Sequence, residues 1–130
     1  MQKIIAIGHK YKARKYIIGL VEDNIRLREL LTLRIEQAGF TVLNYPGFGW
    51  VPDWDACDYW ILDNYTGERV QGKHIVLMND NSLLLTSAEF DEEMEALAKK
   101  GRAYNKLELD EAIAYIKNQL ELNSRNNGIF

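Results

Sequence analysis

The amino-acid sequence predicts an α/β fold, a three-layer sandwich around a central parallel five-stranded sheet in which the second and third helices are shortened or replaced. Short apolar runs without polar alternation recur along the chain, as strands covered on both faces require. Between them lie segments whose apolar residues return at helical spacing. The length agrees. With 130 residues, 47% hydrophobic and only two prolines, the chain suits one domain with a substantial core, not a catalytic domain plus a separate output domain. The same composition excludes disorder, collagen-like repeats and low-complexity assemblies.

Each segment has a local reason. Tyr16-Ile-Ile-Gly-Leu-Val21 reads as a central strand. Asn24 to Ala38 places Leu27, Leu30, Leu31, Ile35 and Ala38 on one helical stripe, with Arg26, Arg28, Glu29 and Glu36 off it and Gly39 at the stop. Phe40 to Tyr45 is a second strand, followed by a turn-rich stretch with Pro46, Gly47, Gly49 and Pro52 in which any helix is very short. Tyr59-Trp-Ile-Leu62 is the third strand and ends in Asp63. Over residues 64–81, Gly67 and Gly72 interrupt any helix, and a hairpin or a helical stub fits Ile75 to Met78 equally well. Leu83 to Leu85 form the fourth strand, and Phe90, Met94, Leu97 and Ala98 a helical face that stops at Gly101. Arg102 to Asn105 form a brief fifth strand, and Glu108 to Leu122 a last helix with Ala112, Ile113, Ile116 and Leu120 inward. Residues 123–130 read as a polar, fraying tail.

Charge divides the chain unevenly. Residues 1–15 carry Lys3, Lys10, Lys12, Arg14 and Lys15 and no acid, so the remainder holds eleven bases against nineteen acids. This segment is expected to be a basic extension or an extra strand, either solvated or docking an acidic partner or nucleic acid. Cys57 is the single cysteine, which argues against an internal disulfide or a zinc cluster and for a reducing, cytoplasmic location. No apolar run reaches the roughly 20 residues of a bilayer span, so no membrane partner is expected.

The carboxyl ends of parallel strands converge on one rim. That rim collects Glu22 and Asp23 after the first strand, Asp63 after the third, Thr86 and Ser87 after the fourth and Lys106 after the fifth. Carboxylates gathered without a nearby arginine repel one another, and a hard divalent cation with oxygen ligands, Mg2+ before others, is the usual remedy. Asp63 is then a candidate nucleophile for a phosphoryl group, with Lys106 and the Thr86 hydroxyl suited to hold phosphoryl oxygens.

Val21-Glu-Asp-Asn24 with Leu27-Arg-Glu-Leu-Leu31 and Glu36-Gln-Ala-Gly-Phe40, then Ile61-Leu-Asp63, then Leu83-Leu-Leu-Thr-Ser87 with Phe90 to Ala98 and Gly101, and last Lys106, follow one another in order. This series resembles the receiver domain of two-component response regulators over residues 16–122. The resemblance implies a flavodoxin-like sandwich in which Asp63 accepts a phosphoryl group. It also implies an Mg2+ pocket of Glu22, Asp23 and Asp63 completed by the Tyr65 carbonyl, with Thr86 and Lys106 on the acyl phosphate and Ser87 small enough for access. The chain departs from the family's pattern at three places: Leu107 replaces a proline after the lysine, Ala103 stands at the aromatic switch position with Tyr104 one place later, and the interval from Gly101 to Lys106 is short. In a strand, one place reverses the face.

Plainer roles compete for several of these residues. Thr86-Ser-Ala-Glu89 matches a capping box, Asp23 and Asn24 are good N-cap types, Asp63-Asn64 suits a turn, and a lysine such as Lys106 is often solvated. Trp50, Trp54, Tyr59 and Trp60 suit packing around the shortened second helix, His9 and His74 suit the surface, and Gly8 to Lys15 is a poor match to a phosphate-binding loop. The leading expectation is a stand-alone receiver-like phosphorelay domain whose Mg2+-dependent phosphorylation on Asp63 switches protein contacts. Enzymatic activity beyond self-phosphorylation from a phosphodonor and autodephosphorylation is not expected, though the sequence leaves that question open. A histidine kinase or phosphotransfer protein and an unknown output protein are the expected partners, with nucleic acid reached only through the basic N-terminus. The alternative is a non-phosphorylated pseudo-receiver acting as an interaction module, and the third reading is a small NTP-dependent kinase.

Overall fold

The computed structural model describes residues 15–127. The basic segment up to Arg14, with His9 and most of the loop from Gly8, lies outside the described residues, as do residues 128–130. In chain order the elements are β1 (Ile17–Val21), α1 (Ile25–Gln37), β2 (Thr41–Tyr45), 3-10 turns at Phe48–Trp50 and Trp54–Ala56, β3 (Tyr59–Leu62), α2 (Gly72–Met78), β4 (Ser82–Thr86), α3 (Glu92–Lys99), β5 (Ala103–Asn105), a 3-10 turn at Lys106–Glu108, and α4 (Leu109–Asn127). All five strands are parallel, in the order β2-β1-β3-β4-β5. The order reverses between β1 and β3, and crevices for ligands open at such a point beyond the carboxyl ends of the strands. The expected sandwich is thus the observed architecture: two 3-10 turns replace the helix between β2 and β3, and the helix between β3 and β4 is cut to seven residues.

Strand periodicity sorts the apolar residues into two cores. Ile18, Leu20, Tyr59, Ile61, Leu83 and Leu85 face one side, where Leu31 and Ile35 of α1 and Ala112, Ile113, Ile116 and Leu120 of α4 cover them. Val21, Trp60, Leu62, Leu84 and Ala103 face the other, against Phe48, Val76, Met94 and Leu97. On that second side Trp60 supplies volume that a longer helix would supply. Gly19 is its partner in the β1–β3 register, and a Cβ there would lie 2.2 Å from the indole ring, so only glycine admits it. The indole N–H donates to the Trp54 carbonyl at 2.9 Å, and the Trp54 ring sits 4.5 Å from that of Trp60.

Several expectations change. The last helix does not end at Leu122 but continues through the first part of the polar tail to Asn127. Gly72 does not break a helix but opens α2, so the ambiguous stretch before β4 is a helical stub rather than a hairpin. Leu30 leaves the inward stripe of α1 and is 53% exposed, because the sheet meets only the Leu31 and Ile35 side of that helix. Tyr59 packs on the opposite face from Trp54 and Trp60, while Trp50 is exposed. Thr86 does not cap a helix: α3 starts six residues later, where the Asp91 side chain accepts from Met94 N–H at 2.9 Å.

Candidate functional site

The strand register builds the site. Val21 pairs with Leu62, so the next residues, Glu22 and Asp63, emerge side by side; Thr86 pairs with Asn105, which brings Lys106 to the same rim. Glu22 and Asp63 are buried. Glu22 Oε2 accepts from Asn24 N–H at 3.1 Å and Oε1 lies 2.6 Å from Lys106 Nζ. Asp63 Oδ1 accepts from Asn64 N–H at 2.7 Å and Oδ2 from Lys106 Nζ at 3.2 Å. Asp23 is exposed at the mouth, and one carboxylate oxygen from each of Glu22, Asp23 and Asp63 lies within 4.8 Å of the others.

The ammonium of Lys106 thus lies against two of the three carboxylates, and Glu22 and Lys106 both hold their protons more tightly than usual. Burial raises the Glu22 carboxyl above its ordinary range, against the hydrogen bond from Lys106, and the charge of Asp63 adds to the rise. For Lys106 burial acts downward, but the hydrogen bond to Glu22 and the charges of Asp63 and Glu22 outweigh it, and the ammonium is raised. The excess of negative charge in hard oxygen donors is the setting that suits Mg2+ or a similar cation, and Glu22, Asp23 and Asp63 fit such an ion chemically.

Thr86 is buried at the end of β4, and its hydroxyl accepts from Ala88 N–H at 3.2 Å. Ser87 is exposed beside it, and Tyr65, two residues past Asp63, turns its side chain to solvent. Asn24 caps α1 by accepting from Leu27 N–H, whereas Asp23 does not cap it. Ala103 is buried in the second core, while Tyr104 packs on the first, 6.5 Å from Tyr115, which is the reversal of face expected from a shift of one place. All peptide bonds among the described residues are trans, the one between Lys106 and Leu107 included.

Two residues around the site were missed from sequence. Asn64 is fully buried; its carbonyl accepts from Gly72 N–H and its Oδ1 from Lys73 N–H, which clamps the start of α2 to the end of β3. Lys73, also buried, pairs with Asp91 and Glu93 at the start of α3. These links join distant segments and leave no spacing to read. An asparagine directly after the rim aspartate was the one available signal.

No family model matches the chain, and no curated protein matches it. Solved structures do. The signal receiver domain of a protein described as a Luxo repressor from Vibrio parahaemolyticus superposes with a TM-score of 0.67 at 15% identity, over 88% of this chain and 98% of that one. The fold is that of a response-regulator receiver domain. The non-phosphorylated HemR receiver domain from Leptospira biflexa is 26% identical over 70% of this chain and 79% of its own, with a TM-score of 0.52. Against the response regulator DrrB of Thermotoga maritima, the receiver-like chain matches 85% of its own length, with a TM-score of 0.62 at 20% identity, and spans about half of that protein, 54%.

Proposed function

We propose that this receiver-like domain is a phosphorelay signalling module whose phosphoacceptor is Asp63. The observation that supports this best is the convergence of Glu22, Asp23, Asp63 and Lys106 on one rim, with Lys106 Nζ within 3.2 Å of Asp63. Glu22, Asp23 and Asp63, with the Tyr65 carbonyl, would hold Mg2+. When bound, that ion neutralises carboxylate and phosphoryl oxygens together. An Asp63 carboxylate oxygen attacks the phosphorus of a phosphohistidine or a small acyl phosphate. The P–O bond to Asp63 forms as the bond to the leaving nitrogen or carboxylate breaks, and the leaving group departs with that bond's electron pair. Lys106 turns its ammonium from carboxylate to phosphoryl oxygen, and the Thr86 hydroxyl donates to another phosphoryl oxygen. Hydrolysis of the acyl phosphate resets the domain.

The donor in this reading is a histidine kinase or phosphotransfer protein, the setting is the cytoplasm, and the signal leaves through protein contacts. Residues 16–122 form the receiver-like unit, with 1–15 as a basic extension. No helix among the described residues is long and apolar enough to cross a membrane. A second reading, an interaction module that is not phosphorylated, is favoured by one observation: Ala103 is buried where an aromatic switch residue would sit.

Intact-mass spectrometry after incubation with acetyl phosphate and Mg2+ separates the two. A single phosphoryl adduct that is lost in Asp63→Asn and on removal of Mg2+ is expected. An unmodified wild type, or an adduct that survives Asp63→Asn, overturns the phosphoacceptor assignment in favour of the second reading.

A further inference from the structure

The face left without a long second helix carries a cavity that the phosphoryl chemistry does not use. Its volume is about 580 Å3, within the range of small-molecule sites. Phe48 and Trp54 of the two 3-10 turns form one wall, and Ile75 and Met78 of α2 another. Met78 and Val70, which also line it, are 88% and 49% exposed.

Two charged residues line the same cavity, and their situations differ. The Glu68 carboxylate accepts from Phe48 N–H at 2.6 Å, Gly49 N–H at 2.9 Å and the Thr66 hydroxyl at 2.7 Å. Its charge is answered, and it serves to fix the loop against the first 3-10 turn. Arg69 beside it makes no ion pair among the described residues. The cavity therefore offers an aromatic and aliphatic lining with one unanswered positive charge.

We propose that this cavity binds a small aromatic carboxylate, its ring body against Phe48, Trp54 and Met78 and its anionic end on the Arg69 guanidinium. A guanidinium matches a carboxylate in charge and in planar shape. A cationic ligand would meet Arg69 as a like charge, and a neutral one would gain nothing from it. A folded partner needs a broad face of about 800 Å2 per side, whereas the apolar surface here is a hollow bordered by Glu68, Arg69 and Asn79. Asp63 does not line the cavity, so the proposal stands whether or not Asp63 is phosphorylated.

The test is titration of the full chain with 2-naphthoate, followed by tryptophan fluorescence and ligand-observed NMR. Saturable binding with a dissociation constant on the order of a millimolar is expected for a ligand of this size. Arg69→Gln weakens it about two- to fivefold, as loss of an exposed ion pair does, and leaves binding of neutral 2-naphthylmethanol unchanged. Val70→Asp, an exposed change that places a like charge at the wall, weakens naphthoate further while circular dichroism stays native. Absence of saturation up to about 10 mM overturns the proposal. So does equal naphthoate affinity in Arg69→Gln and wild type, or equal affinity for the naphthylmethylammonium cation.

Discussion

Gly72→Ala is a small change that the structure makes costly. A Cβ at residue 72 would lie 2.1 Å from the Asp63 carbonyl oxygen, 2.9 Å from its carbon and 3.1 Å from Asn64 Cα. All three are backbone atoms, so no side chain can swing aside. Restoring ordinary van der Waals separation requires α2 to retreat by about 1 Å, with an overpacking cost of about 1–3 kcal/mol. The retreat stretches two hydrogen bonds, Gly72 N–H to Asn64 O at 2.9 Å and Lys73 N–H to Asn64 Oδ1 at 3.0 Å, each worth about 1 kcal/mol. Against this, alanine regains about 0.5–1 kcal/mol through the unfolded chain. The net loss is about 2–4 kcal/mol, a large part of the stability of a domain this size. Urea denaturation followed by far-ultraviolet circular dichroism reads it as a midpoint lowered by about 1–2 M. Gly39→Ala, where φ is +103° but nothing lies within 4 Å, carries only backbone strain and should lose about 1 kcal/mol. A Gly72→Ala midpoint within about 0.3 M of wild type would refute the reasoning that β3 and α2 approach through glycine alone.

Other consequences can be measured directly. The hydrogen bond from Lys73, with that from Met94 N–H, holds the Asp91 carboxyl below its ordinary range. Its stabilisation is therefore complete above the unfolded carboxylate pKa of about 3.9 and is lost as pH falls through the lower folded value. Thermal melts between pH 7 and pH 2 should decline less steeply for Lys73→Met, and parallel declines would count against this link. Burial, with the charges of Asp58 and Asp53, pushes the Cys57 thiol up to about 11. Its reaction with a disulfide reagent at pH 8 should be slower than that of free cysteine by on the order of tenfold or more, since the lost thiolate fraction outweighs the gain in nucleophilicity. Arg102 Nη2 donates to the carbonyls of Val76 and Ser82, and Nε also reaches Ser82. Arg102→Met should cost about 1.5–3 kcal/mol, with little rescue by Arg102→Lys, whose single ammonium lacks the guanidinium fork.

Much of the fold was legible because its signals are local. Apolar runs without alternation marked strands buried on both faces, and Asn24 and Gly39 bounded α1 by capping and by a left-handed turn. What escaped is whatever depends on a neighbour distant in the chain. Leu30 fits the helical stripe as well as Leu31 does, and only the position of the sheet leaves one exposed and the other buried. Gly72 has the low helix propensity of any glycine, yet the close approach of Asp63 demands it at the start of α2. Thr86 matches a capping pattern that the chain does not use, because Asp91 satisfies the α3 amides instead.

The candidate site divides along the same line. The sequence by itself determined the types and order of the rim residues, since a polar group directly after an apolar run marks the end of a buried strand. It also determined that carboxylates would outnumber the nearby cations. Only the tertiary structure decided which of these groups touch. The pairing of Val21 with Leu62 and of Thr86 with Asn105 places the Lys106 ammonium between Glu22 and Asp63. Asn64, which the sequence marked only as a turn residue, joins that rim to α2. The physical reason is register: parallel pairing turns separations of tens of residues into distances of a few ångströms, and a strand end states only where its own chain stops.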